Sequence, residues 1–269
     1  MRSHRLTFTL AMTGISRALL VRDRLLGRVR RVRPGETPEA VASRHWITSG
    51  RNRLDAYYVK PAEGPVRAVV LICHGIAETV EHWLPVQLLL AANGAASLVF
   101  DYSGYGHSSG RIEAAQCERD AVAAFHALER LTRSPSIALL GFSLGSGIAA
   151  AVVSKVRASR LVLCAGFTSF RAAAHSLGIP EGLGPLIPRL WQAEESLRDC
   201  SIPVLVVHGE RDRLFPVRMA RELAACCGAE TRVVPNLSHA EPYYRPQKKY
   251  WGPIITWLEA PASSPPHES

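Results

Sequence analysis

The chain has 269 residues, 47% of them apolar, which supplies one substantial core at a length where an α/β fold remains a single domain. Its formal charge of +9 is uneven: residues 1–33 hold nine arginines against the single acid Asp23, while the remainder carries 23 basic and 22 acidic residues. That distribution argues against a nucleic-acid-binding domain surface, and six cysteines without paired ligand spacing argue against a metal site and fit a reduced, cytoplasmic chain.

The first segment, 1–42, reads as a basic amphipathic arm. At 100° per residue, positions 15–32 gather Ile15, Leu19, Leu26 and Val29 on one side, with Arg17, Arg24, Arg28 and Arg31 opposite. Such a helix either lies peripherally on an anionic membrane through residues 15–33, here the inner membrane surface, or docks on the domain or a partner. Residues 6–16 have the length of a signal-peptide core, yet Arg17 interrupts them and no small-x-small cleavage site follows. No stretch approaches the roughly 20 apolar residues of a bilayer span.

Extended segments at 43–49 and 54–60 flank Gly50-Arg51-Asn52 and predict an opening hairpin. Strands are then expected at 66–73, 95–101, 137–141, 160–165, 204–208 and 231–234, with helices at 80–92, 117–132, 144–155, 217–227 and 253–259. Buried apolar strands alternating with helices predict an α/β fold: a mainly parallel central sheet with helices on both faces, spanning 43–259. Between 167 and 198 the alternation breaks at Gly178, Pro180, Gly182, Gly184, Pro185 and Pro188, which predicts a small cap inserted after a strand. Its aromatics Phe167, Phe170 and Trp191 either line an acyl pocket or pack the cap onto the body. The Pro- and Ser-rich end, 260–269, is expected to be a disordered tail.

The chemistry concentrates at strand ends. Gly141-Phe142-Ser143-Leu144-Gly145 lies between an apolar run and a small-residue helical segment, where glycines on both sides let a strand turn tightly into a helix and expose a serine hydroxyl. Ser143 is therefore the candidate nucleophile. It needs a base, and the base needs an orienting acid. Asp212 follows the 204–208 strand and is the first choice of acid, with Glu210 the alternative; His239 follows the last strand and is the candidate base. Backbone N–H groups of Ile76 and Leu144 are the candidate oxyanion donors, with Ala77 as a substitute for Ile76. His74 reads as a structural loop residue.

His74-Gly75, the serine elbow, Asp212 and His239, in that order on alternating strands, resemble the α/β-hydrolase superfamily over about residues 46–258. The segment Asp101-Tyr102-Ser103-Gly104-Tyr105-Gly106-His107-Ser108 is similar to the Asp-x-x-Gly-x-Gly-x-Ser loop of its serine aminopeptidase-like and monoacylglycerol-lipase-like branch. Its Gly-Tyr-Gly also resembles membrane-associated depalmitoylase-like hydrolases. The chain departs from the family in having Ser238 before the base and Ile-Ala-Glu-Thr where a Gly-rich oxyanion loop is common. The resemblance implies a serine hydrolase that cleaves an ester of a modest apolar acyl group through an acyl-enzyme, without metal or organic cofactor. A thioesterase or acyltransferase would use the same residues. A non-catalytic ligand-binding or membrane-docked protein is the reading from another class.

Overall fold

Eight strands form one sheet, each buried strand sending alternate side chains to opposite faces. The computed structural model describes residues 37–260; the helix expected at 15–32 and nearly all of the expected tail lie outside the described residues. A hairpin opens the domain, β1 (Ala40–Ser49) with β2 (Asn52–Pro61), its turn at Gly50 in the left-handed region with φ 59°. There follow β3 (Ala68–Cys73), α1 (Val80–Ala92), β4 (Ala95–Phe100), α2 (Ala114–Thr132), β5 (Ala138–Phe142) and α3 (Leu144–Val152). The second half supplies β6 (Arg160–Cys164), α4 (Phe170–Ser176), α5 (Ala193–Arg198), β7 (Val204–Gly209), α6 (Val217–Cys227) and β8 (Glu230–Val234). Two last helices close it, α7 (Glu241–Tyr244) and α8 (Lys248–Glu259).

The strand order is β1-β2-β4-β3-β5-β6-β7-β8. β2 pairs antiparallel with both β1 and β4; from β4 to β8 every pairing is parallel. The alternation builds two cores. Leu71, Leu98, Leu139 and Leu161 pack with α2, α3 and α6 on one face, whereas Val70, Ile72, Val99 and Leu140 pack with α1 and α8 on the other. Strands covered on both sides lose the polar-out positions of a half-exposed sheet, which is why they read as continuous apolar runs.

Two sequence expectations shift. The final helix begins at Lys248 rather than 253, and Pro253 sits inside it. A proline there removes one N–H and disfavours a helix interior, but Tyr250, Trp251, Ile254 and Leu258 are buried on one stripe and that burial prevails. The hairpin's first strand begins at Ala40, within the segment read as arm. Residues 167–198 hold α4, a 3-10 turn at Glu181–Leu186 and α5. Phe167, Phe170 and Trp191 are all buried, Phe167 edge-on to Phe215 at 5.3 Å and Phe170 edge-on to Trp191 at 5.6 Å. All three rings belong to the apolar core on that face of the sheet.

Candidate active site

The parallel strands end together on one side of the sheet, and the loops that leave them carry the candidate residues. Ser143 joins β5 to α3 with φ 52° and ψ −118°, a backbone state rare for a side-chain-bearing residue. Steric closeness enforces it: a Cβ on Gly145 would fall 1.9 Å from the Cys73 carbonyl oxygen, and one on Gly141 2.3 Å from that of Gly145. The turn therefore presses β5, α3 and the end of β3 together, and only glycine fits on either side of the serine.

His239 reaches the serine from the loop between β8 and α7. Its Nε2 lies 2.9 Å from Ser143 Oγ and its Nδ1 2.7 Å from Asp212 Oδ2. A carboxylate accepts, so Nδ1 carries the proton and Nε2 is left to accept from the serine hydroxyl. Phe142 and Phe215 flank the imidazole, with ring centroids 5.6 and 5.2 Å away, and the histidine itself is half-buried.

Asp212 is buried at the start of the β7–α6 loop. Burial alone raises a carboxyl pKa, but hydrogen bonds from His208, from His239 and from the Phe215 N–H together hold it well below the usual carboxylate range. Its Oδ1 accepts the N–H groups of Leu214 and Phe215, each at 2.9 Å, so the loop behaves as a small anion cradle. Glu210, the alternative acid, is exposed and accepts the Asn236 N–H instead.

His208 was not among the expected site residues. It is fully buried, with Nε2 2.9 Å from the Phe215 carbonyl oxygen and 3.3 Å from Asp212 Oδ2. Its position at the end of a strand, four residues before the acid, was the available signal. Leu144 opens α3, so its N–H has no intrahelical acceptor. Ile76 and Ala77 are half-buried in the β3–α1 loop, Ala77 at φ 60°. His74 is buried against Tyr102 and Tyr105, with Nδ1 2.7 Å from the Gly75 carbonyl oxygen; burial pushes its pKa down to about 4, so it is a neutral structural imidazole. Asp101 accepts the Val80 N–H at 2.8 Å and caps α1, as a strand-end structural acid would. Among the described residues no group of three or more His, Cys, Asp or Glu is arranged to hold a metal ion.

The strand order, the elbow and the acid and histidine on successive loops define an α/β hydrolase. The family model for the alpha/beta hydrolase fold matches residues 68–178. An uncharacterized protein of Mycobacterium tuberculosis is 31% identical over 196 residues, covering 71% of this chain and 69% of that protein. The chain belongs to the α/β-hydrolase superfamily. Lysophosphatidylserine lipase ABHD12 of Mus musculus is 25% identical over 66% of this chain and 50% of its own length. Among solved structures, the Pyrococcus furiosus esterase Pf2001 shares the fold at TM-score 0.68 and 20% identity, covering 85% of this chain and 97% of that one. No helix among the described residues is long and apolar enough to cross a membrane.

Proposed function

We propose that the chain is a serine hydrolase that cleaves carboxylic esters of a modest apolar acyl group through an acyl-enzyme. The observation that carries this reading is the hydrogen-bonded series Ser143, His239, Asp212 behind a serine held at positive φ. Ser143 Oγ attacks the ester carbonyl while its proton passes to His239 Nε2, and Asp212 keeps the imidazole in the accepting tautomer and stabilises the imidazolium. The N–H groups of Ile76 and Leu144 receive the oxyanion, a contribution of about 10² to 10³ in turnover per donor in related chemistry. The imidazolium then protonates the leaving oxygen. Water, deprotonated by His239, releases the acid and restores Ser143.

Membership of the superfamily supports hydrolysis, and the name of the ABHD12 relative supports a lipid-type ester for that protein. A thioester would use the same groups, and the Gly104-Tyr105-Gly106 loop favours testing one. The experiment is a matched set of oxygen esters and thioesters of increasing acyl length, followed with rapid mixing. A burst of leaving group equal to the enzyme concentration, strongest for short and medium oxygen esters, is expected. Stoichiometric ligand binding without turnover would replace the proposal with a binding protein.

Residues 15–33 are proposed to attach the enzyme peripherally to anionic membranes, at the inner surface of a cytoplasmic setting. Their deletion should abolish co-sedimentation with anionic vesicles and leave hydrolysis of a soluble ester unchanged; vesicle binding that survives the deletion eliminates the proposal.

A further inference from the structure

The loop that carries Ile76 contains a buried carboxylate with no part in the chemistry above. Glu78 is 5% exposed, and its Oε2 accepts two hydrogen bonds, from the Gly75 N–H at 2.7 Å and from Trp83 Nε1–H at 2.7 Å. Burying a carboxylate is costly unless donors compensate it, and here the donors join two parts of the molecule.

We propose that Glu78 is a positioning residue that sets the direction of the Ile76 N–H in the oxyanion pocket. The inference rests on the serine-hydrolase reading above. Six residues separate the end of β3 at Cys73 from the start of α1 at Val80, so no strand ladder or helix fixes the peptide planes between them. Each plane at Gly75 is held by a side chain instead. Glu78 holds the Gly75 N–H, and His74 Nδ1 donates to the Gly75 carbonyl oxygen at 2.7 Å. A trans peptide is rigid and planar, so fixing the Gly75 carbonyl and the preceding N–H fixes where the following N–H, that of Ile76, is aimed.

Two further features agree. Ala77 sits at φ 60°, a strained state that persists only when the surrounding chain imposes it, and the Gly75 to Glu78 bond closes the turn across it. A Cβ on Gly75 would lie 2.7 Å from Glu78 Oε1, so residue 75 is fitted to the carboxylate. The far end is anchored as well. The Trp83 ring packs edge-on to Phe142 at 5.5 Å and stacks with Tyr243 at 6.0 Å, and Phe142 both precedes the nucleophile and lies against His239. One carboxylate thus ties the oxyanion loop to the residues that frame the nucleophile and base.

The test compares wild type, Glu78→Ala and Glu78→Gln in fluorophosphonate inactivation, kcat and KM on a soluble ester, and thermal midpoint. Glu78→Ala should lower kcat about 10²-fold with KM within about threefold, the signature of a lost transition-state donor. Glu78→Gln keeps an amide oxygen for both donors and should restore kcat to within about tenfold of wild type. Wild-type kcat in Glu78→Ala overturns the proposal, as do equal losses in both variants that track a falling thermal midpoint. Should Glu78→Ala not fold, Trp83→Phe removes the indole N–H together with part of a buried ring, and the thermal midpoint separates the two losses: a fall in kcat of about three- to tenfold at constant KM and a near-wild-type midpoint supports the assignment, and unchanged kcat, or a fall that only tracks the midpoint, overturns it. A wild type that fluorophosphonate does not label rejects the hydrolase reading itself, whereas labelled wild type with an indifferent Glu78→Ala rejects only the positioning role.

Discussion

The serine elbow and the cap respond differently to the same imagined change, one added methyl group. At Gly145 it would strike the backbone of β3, at 1.9 Å from a carbonyl oxygen; at Gly182, in the cap's 3-10 turn, it meets nothing within 4 Å. The cap also leaves Leu183 and Leu186 exposed, while the strands beneath the elbow are buried throughout. The contrast teaches where tolerance resides. The candidate reacting groups stand on strand ends that permit one arrangement, whereas the 3-10 turn of residues 181–186 has room around its backbone.

The largest expected effect concerns the two acids. Asp212→Asn should cost about 10⁴-fold in kcat by favouring the wrong imidazole tautomer, while Glu210→Gln, on an exposed side chain, should stay within about threefold; a reversal in steady-state kinetics would reassign the acid. Next comes the methyl group itself. Gly145→Ala should destabilise by more than about 3 kcal/mol in denaturant unfolding, since backbone must move, and Gly182→Ala by less than about 0.5 kcal/mol. Equal losses would dissolve the contrast between elbow and cap.

The smallest effect is a pH dependence. Burial pushes the Asp101 carboxyl up to about 7, against partial compensation by the Val80 N–H. Between its ordinary pKa near 3.8 and that value the folded chain holds a proton that the unfolded chain has released. Its contribution to stability therefore falls as pH rises through this window and levels off above 7. Asp101→Asn, which cannot ionise, should gain thermal midpoint relative to wild type between pH 5 and 8. A constant difference across that range would contradict the assignment.

Much of this was legible in the chain. Continuous apolar strands announced a parallel sheet covered on both faces, and Ser143, Asp212 and His239 each stood just beyond a strand, so sequence position and spatial position coincided. What stayed hidden depended on packing. Pro253 concealed the first turn of α8 because local propensity argues one way and the burial of Tyr250 and Trp251 the other. The buried fate of Phe167 and Trp191 depended on room beside Gly147, where a Cβ would lie 2.6 Å from Phe167. His208 and Glu78 were close in sequence to the residues they touch, yet their contacts depend on side-chain direction, which spacing does not specify.

The central claim, that the elbow activates Ser143, is tested most directly by intact-mass analysis after fluorophosphonate treatment of folded wild type and Ser143→Ala. One adduct on wild type, mapped to Ser143, and none on the variant is the predicted result. Equal labelling of both proteins, or no labelling of a folded wild type, would contradict it.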